Sequence, residues 1–193
     1  MLVTLFSDAS MCPERKIGGW AAWLKSDRGS LKGGARFMVR VGDSSMAEAM
    51  AVVNGLTVGL KEGVIRPMDT VLVQTDNDAV MGVLEGTVRR SLARELKRRR
   101  GRSRSQVERD VDERNHEIAI VADAFSAILS DNGVVVRWRH VKGHRGKQDR
   151  RSAVNSFCDR TARAHMRGAR KRPAPATMAA RCIVRSCKTK ETA

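Results

Sequence analysis

The chain has 193 residues, with 37 Lys and Arg against 21 Asp and Glu and a formal net charge of +16 at pH 7. This length suits one domain of about 150 residues with appendages. No stretch approaches the roughly 18 uninterrupted apolar residues of a membrane span, and the N-terminus lacks the basic start and longer apolar run of a signal peptide. These features argue against a membrane-spanning protein, and we expect a cytoplasmic one.

The positive charge is concentrated in two segments. Residues 89–104 hold nine basic groups and one acid, residues 165–193 hold eight and one, and the remainder is close to neutral. Such segments attract polyanions in a salt-dependent way, so nucleic acid is the expected partner. Neither segment has the interleaved Trp, Phe and Leu of a membrane anchor, and we expect no membrane contact. Cys182 and Cys187 form only a weak zinc pattern, so free thiols are expected.

Two short apolar runs are each followed by a carboxylate. Residues 2–6 precede Asp8, and residues 70–74 precede Asp76. Their β-branched and aromatic side chains are typical of buried strands. A strand–helix–strand crossover favours parallel pairing, which places both acids at the carboxyl edge of the sheet, where open α/β sheets carry their sites. The alternative for Asp8 is a turn, since Ser-Asp-Ala-Ser is also good turn chemistry.

The segment between these runs predicts two further strands and a helix. Residues 18–24 and 31–41 are predicted to extend the first strand into an antiparallel meander. Residues 46–61 carry apolar side chains at helical spacing. Ser45-x-x-Glu48 is a capping-box pattern, and taken alone it predicts that Glu48 folds back on the N-terminus of this helix.

The second half of the chain alternates between periodic and strongly basic sequence. The basic segment 89–104 is either a solvated, partly disordered loop or an arm that grips phosphates, and the two interpretations are compatible. The residues beyond 166 lack periodicity, so 167–193 is predicted to be a basic tail that is disordered in isolation. The periodic elements are a short helix, a long helix ended by Asn132-Gly133, a fifth strand and a final helix, at 77–84, 106–129, 134–138 and 153–166.

Six stretches occur in the order and roughly the spacing of type 1 ribonuclease H, namely FSDAS, GGWAAWL, SSMAEAMAVVNGL, VLVQTDNDAV, WRHVKGHRG and NSFCDRTAR. The most specific piece is V-K-G-H-x-G followed by N-x-x-C-D-x-x-A-R. The sequence resembles this family over about residues 1–166. The resemblance implies an α/β protein with the ribonuclease H-like fold, a mixed five-stranded sheet flanked by helices. It also implies endonucleolytic cleavage of the RNA strand of RNA–DNA hybrids with two Mg²⁺ or Mn²⁺ ions.

Carried over position by position, the resemblance implies four metal-binding catalytic carboxylates and a loop histidine that helps protons and product leave. They are Asp8, Glu48, Asp76, Asp159 and, as the histidine, His144. The chemistry agrees, because in-line phosphodiester cleavage needs an activated water and a stabilised leaving oxyanion, which two divalent ions about 3.5 to 4 Å apart supply. Mg²⁺ prefers hard carboxylate oxygens. Four crowded acids would repel one another without metals, so the set makes poor sense as pure structure.

Substrate contacts are predicted in two polar turns and in the basic segment. Ser44, Ser45 and Asn77 are candidates for polar contacts, with RNA distinguished through its 2′-hydroxyls in the shallow minor groove. Asp43 would repel a phosphate unless it is turned away. The phosphates are predicted to be gripped by Arg89, Arg90, Arg94, Lys97, Arg98, Arg99 and Arg100, together with Arg102 and Arg104. We expect a monomer bound to hybrid duplex.

Two other functions fit the same residues. One is a nuclease of this fold that acts on structured or junction DNA, since fold alone does not fix the substrate. The other is a non-catalytic nucleic-acid-binding protein with vestigial carboxylates. The presence of all four acids and the loop histidine favours an active ribonuclease.

Overall fold

The structure, a computed structural model, describes residues 1–88, 90–99, 101–141, 150–173 and 175, without the side chains of 150–152. Some of the residues singled out above lie outside the described residues. These are Arg89, Arg100, His144 and the tail from residue 176, with Cys182 and Cys187.

Five strands form one mixed sheet in the order β3-β2-β1-β4-β5. The antiparallel meander consists of β1 (Leu2–Cys12), β2 (Ile17–Ser26) and β3 (Gly29–Arg36). The strands β4 (Thr70–Thr75) and β5 (Val135–His140) continue the sheet in parallel with β1. The predicted mixed five-stranded sheet is therefore confirmed.

Five helices accompany the sheet in the described part of the chain, and the basic segment contains one of them. They are α1 (Ser44–Lys61), α2 (Ala79–Leu84), α3 (Leu92–Arg98), α4 (Arg104–Asn132) and α5 (Arg150–Ala169). Gly133 ends α4 with a φ of 60°, a left-handed conformation that glycine adopts without steric cost. Within the described ranges, none of the helices combines the length and apolar character needed to cross a bilayer.

The two faces of the sheet are covered by different helices. Val3, Leu5 and Val73 are fully buried in the larger core, which also holds apolar residues of α1, α2 and α4. On the opposite face, Phe6 packs with Cys158 of α5. Because side chains alternate along a strand, Asp8 follows Phe6 on the α5 side.

The close contact between β2 and α5 depends on Gly19. A Cβ atom at this position would lie 2.5 Å from the backbone nitrogen of Met166. Only a residue without a side chain permits this approach. Gly19 therefore helps to set the position of the helix that carries Asp159.

The predicted third strand, residues 31–41, is wrong in its second half. β3 begins at Gly29 and ends at Arg36, and beyond it the pairing with the chain around the start of β2 continues only irregularly, as where the N–H of Phe37 donates to the carbonyl of Gly18 at 2.9 Å. Phe37, Val39 and Val41 are nevertheless buried, and the N–H of Val41 donates to the carbonyl of Lys16 at 2.9 Å. The alternation in the sequence reflects burial of an irregular segment that leads into α1, which period alone does not distinguish from a strand.

The capping box, the alternative interpretation of Ser45 and Glu48, does not form. The N-cap of α1 is Asp43, with φ −154° and ψ 172°, and its Oδ1 accepts from the N–H of Met46 at 2.8 Å. Asp is as good an N-cap as Ser, and the helix begins two residues earlier than predicted. Glu48 is consequently not used to cap the helix.

Candidate active site

Three of the predicted carboxylates come from separate elements and meet at the carboxyl edge of the central strands. Asp8 lies in β1, Asp76 directly follows β4, and Glu48 lies in the second turn of α1. The last parallel pair between β1 and β4 joins Phe6 to Gln74. Asp8 comes two residues after Phe6, and Asp76 comes two residues after Gln74. The two acids therefore lie at the same height along the paired strands.

The carboxyl groups of Asp8 and Glu48 influence each other strongly. Burial raises the pKa of Glu48 to about 9, and the charges of Asp8 and Asp76 act in the same direction. Burial also raises the pKa of Asp8 to about 6, against the hydrogen bond of 2.7 Å that it accepts from the N–H of Ala9. The two side chains are hydrogen-bonded to each other. Without a cation, this pair therefore shares a proton near neutral pH.

The fourth acid, Asp159, differs from the other three in having a cationic partner. Its Oδ1 lies 2.8 Å from Nε of Arg163, one helical turn further along α5, although its charge still raises the pKa of Asp8. The ion pairs among the described residues include none for Asp8, Glu48 or Asp76. In the same part of the chain, no three His, Cys, Asp or Glu side chains lie in an arrangement that could hold a metal ion as they stand. The four acids form an open group, in which mutual repulsion opposes closer approach.

The donors at this edge suit a hard divalent cation. Three carboxylates influence one another here, and such oxygens are what Mg²⁺ and Mn²⁺ accept. The one nearby sulfur belongs to Cys158, whose thiol has its pKa raised to about 12 by burial and then by Asp8 and Glu48. It stays protonated and packs against the sheet, so it is not a ligand. The sequence contained this cysteine in its NSFCDRTAR stretch, but gave no sign of its burial beside the acids.

A family model for ribonuclease H matches residues 2–167. The chain belongs to the ribonuclease H family. It is thus a ribonuclease H hydrolase, and the family resemblance seen in the sequence motifs is confirmed. No curated protein matches the chain in sequence.

Solved ribonuclease H structures share the fold at low identity. RNase H1 from the halophilic archaeon Halobacterium salinarum is 15% identical, with a TM-score of 0.56 over 88% of this chain and 100% of that one. The N-terminal RNase H domain of a Mycobacterium tuberculosis protein is 17% identical, with a TM-score of 0.53 over 88% and 96%. LC11-RNase H1, from a compost metagenome and solved in complex with an RNA/DNA hybrid, is 12% identical, with a TM-score of 0.51 over 86% and 98%.

A histidine–aspartate pair lies beside the acids of this ribonuclease H. Nδ1 of His140, the last residue of β5, is 2.7 Å from Oδ1 of Asp78. Asp78 comes two residues after Asp76 but has a side chain that is 87% exposed. It therefore pairs at the surface and does not join the buried acids. Sequence reasoning missed this pair because its members are far apart in the chain.

The predicted polar contacts lie at the same edge. Ser44 is exposed and Ser45 is half-buried, and both precede Glu48 in the first turns of α1. Asn77 directly follows Asp76, and its Oδ1 accepts from the N–H of Ala79 at 3.0 Å, which helps to begin α2. The fold thus brings these three side chains next to two of the acids.

The predicted phosphate-gripping residues differ in their pairing. The exposed side chains of Arg94 and Lys97 take part in none of the ion pairs among the described residues. The others are paired within the chain: Arg90 with Asp43 at 2.8 Å, Arg98 with Glu95 at 2.9 Å, Arg99 with Glu95 at 3.0 Å and with Asp110, Arg102 with Asp110 at 3.6 Å, and Arg104 with Glu108 at 2.9 Å. The segment is therefore folded onto α4 and is not a free arm, while its role in binding phosphate stays a prediction.

Proposed function

We propose that this ribonuclease H cleaves the RNA strand of RNA–DNA hybrids by hydrolysis that depends on two divalent cations, Mg²⁺ or Mn²⁺. One observation carries the proposal. Asp8, Glu48 and Asp76 share one site, and no ion pair among the described residues supplies them with a cationic side chain. Grouped, partly buried acids destabilise a fold unless something neutralises them. Divalent cations are the neutralising groups that suit carboxylate oxygens.

The four acids have distinct roles in this proposal. Asp8, Glu48, Asp76 and Asp159 would hold the ions. Bound there, two ions would activate the attacking water and stabilise the leaving oxyanion. Glu48 and Asp8 would release the proton they share when a cation binds, because ligating carboxylates must be ionised. Asp159, whose charge already acts on Asp8, would share its carboxylate between a cation and Arg163.

Substrate binding would use the polar and basic groups around this edge. Ser44, Ser45 and Asn77 lie where they could bond to 2′-hydroxyls, the groups that distinguish RNA from DNA. Exposed Arg94 and Lys97 offer charge to backbone phosphates. By its resemblance to the loop histidine of the family, His144 would assist proton transfer and product departure. The proposal also keeps the expectation of a monomeric, cytoplasmic protein.

The test is cleavage of a labelled RNA–DNA hybrid, double-stranded DNA and double-stranded RNA in Mg²⁺ or Mn²⁺, with wild type and Asp76→Asn. We expect cutting of the RNA strand of the hybrid alone, and a fall of about 10³-fold or more in the variant with hybrid binding retained. Asp27→Asn is the matched control, since Asp27 is an exposed acid in the turn between β2 and β3. Cutting of DNA would instead support a DNA nuclease, and binding without cutting would support a non-catalytic binder.

A further inference from the structure

The carboxylate of Asp43, at the start of α1, forms ion pairs with two arginines. Oδ1 of Asp43 caps the helix by accepting from the N–H of Met46. Its Oδ2 lies 2.8 Å from Nη2 of Arg90 and 3.6 Å from Nε of Arg114. A single side chain therefore both begins the helix and neutralises guanidinium groups from two other parts of the chain.

These arginines line an open cavity of about 180 Å³ between the start of α1, α3 and α4. Its lining holds four arginines, Arg90, Arg98, Arg99 and Arg114, together with the acids Asp43, Glu95 and Asp110. A cavity of this size holds several water molecules, and hence also a phosphate group. Guanidinium groups bind phosphate and carboxylate with the same charge-assisted hydrogen bonds. With four arginines against three acids, the lining has one positive charge in excess, which favours an anion.

The ion pairs of Asp43 determine how much of the arginines' positive charge is available to bind another anion. Arg98 and Arg99 are held by Glu95 and Asp110, whichever way Asp43 is turned. For Arg90, Asp43 is the only acid with which it forms an ion pair in the described part of the chain.

Arg90 is also fixed in place. Its N–H donates to Oδ1 of Asn115 at 2.7 Å, and its carbonyl accepts from Nδ2 of the same residue at 3.3 Å. Arg114 is similarly held, because its Nη1 lies 3.0 Å from Oε2 of Glu117. The backbone of Arg90 and the side chain of Arg114 are therefore already positioned when a ligand arrives. Asp43 is the acid that pairs with the Arg90 side chain, whereas Arg114 is shared between Asp43 and the closer Glu117.

The cavity lies close to the catalytic acids. Asp43 is five residues before Glu48, which is about 7 Å along a helix axis. Phosphates of one strand are spaced about 3.4 Å apart along a duplex axis. A nucleic acid with one phosphate at the acid cluster therefore has others within reach of Arg90.

We propose, resting on the proposed action on nucleic acid, that Asp43 is a built-in competitor for a backbone phosphate. Its carboxylate occupies Arg90 and Arg114 and so weakens binding of the substrate. An arriving phosphate meets arginines that are already neutralised, together with a like charge that its N-cap bond keeps in place. Asp43 thereby limits affinity, which favours release of the cleaved duplex.

The first test is Asp43→Asn, measured as hybrid binding in the cleavage-deficient Asp76→Asn background. Asn caps a helix as well as Asp does, so α1 keeps its start while the arginines lose their carboxylate. We expect the Kd for hybrid to fall about 3- to 10-fold at 0.1 M salt. The slope of log Kd against log salt should steepen by about 0.9, as for one more phosphate contact. A melting curve checks the fold, and Asp43→Ser is the second variant that retains a capping side chain.

Two controls separate this role from a general change in charge. Glu62→Gln removes one exposed carboxylate at the other end of the same helix, and it should change the Kd by less than about 2-fold. Adding Arg90→Gln to Asp43→Asn should cancel the gain in affinity for hybrid.

The proposal is overturned if Asp43→Asn leaves the Kd unchanged or raises it, if Glu62→Gln tightens binding equally, or if the gain survives Arg90→Gln. Absence of measurable hybrid binding in every variant overturns it too. Failure of the proposed function is seen separately, as failure of the wild type to cut hybrid.

Discussion

Two groups of acids lie at the two ends of one short stretch, from Asp43 to Glu48, and they differ in what surrounds them. Asp43 belongs to a network in which arginines pair with neighbouring acids, including buried Glu95 and half-buried Asp110. Glu48 belongs to a group whose nearest charged neighbours are Asp8 and Asp76. Both groups are partly buried, so desolvation alone does not distinguish them.

The difference lies in the source of the compensating charge. In the arginine network the chain supplies the cations itself, and the result is a rigid platform made of α1, α3 and α4. In the acid cluster the described chain supplies no paired cation for Asp8, Glu48 or Asp76, and burial raises the pKa of Asp8 and of Glu48 instead. A site that lacks internal compensation is suited to binding cations from solution. Acidic side chains are thus structural in the arginine network and candidate metal ligands in the acid cluster.

The largest effect on stability is expected from Glu95→Gln. Glu95 is buried, with 8% exposure, and accepts from Nη2 of Arg98 and Nε of Arg99. Removal of its charge leaves the arginines without their central partner, so we expect the free energy of unfolding to fall by about 2–3 kcal/mol. Urea unfolding with an unchanged m value measures the loss.

Glu108→Gln is the control for this prediction. It breaks an exposed pair with Arg104 in the neighbouring helix, and it should change the free energy of unfolding by less than about 0.5 kcal/mol. Equal effects of the two variants would show that the buried network contributes no more than a surface ion pair.

Glu48→Gln should act in the opposite direction when divalent cations are removed. Glu48 is ionised in the unfolded chain at pH 8, but burial beside Asp8 favours its protonated form in the folded state. Folding of the wild type therefore requires proton uptake, which Gln does not need. We expect the free energy of unfolding in EDTA at pH 8 to rise by about 2 kcal/mol.

In Mg²⁺ the difference in the free energy of unfolding between Glu48→Gln and the wild type should become smaller, because Mg²⁺ stabilises the wild type more than the variant. The exposed Glu62→Gln, at the far end of α1, should be neutral in both conditions. A loss of stability on Glu48→Gln in EDTA would mean that Glu48 forms a favourable pair, and the contrast between the two groups would disappear.

The sequence allowed prediction of the acid cluster better than of the arginine network. Asp8 and Asp76 follow apolar runs that define buried strands, and a crossover helix fixes those strands in parallel, so local patterns sufficed to place both acids at one edge. The network depends on pairs such as Arg90 with Asp43, 47 residues apart. Nothing in local periodicity indicates which arginine meets which acid.

The start of α1 shows the same limit on a smaller scale. Asp43, Ser44 and Ser45 are all good capping residues, and the choice among them depends on where the chain departs from extended backbone. That point is set by the buried irregular segment through Val39 and Val41, which fills the core beside α1. Tertiary packing therefore makes Asp43 the N-cap of α1, and this places its Oδ2 against Arg90.

The smallest expected effect, counted per pH unit, is the pH dependence of stability without divalent cations. The folded pKa of Glu48 is raised from 4.5 to about 9, and that of Asp8 from 3.8 to about 6. A raised folded pKa means that the native state binds more protons, so the contribution of these acids is fully present below the unfolded values and is lost as pH rises.

We therefore expect the free energy of unfolding in EDTA to fall by about 0.5–1 kcal/mol per pH unit between pH 6 and 9. Glu48→Gln should flatten this slope, and Glu62→Gln should leave it unchanged. With Mg²⁺ the slope should weaken or reverse, because a bound cation favours the ionised carboxylates. Stability that rises with pH in EDTA would require a cationic partner for Glu48, and would place both groups of acids in the class that the chain neutralises itself.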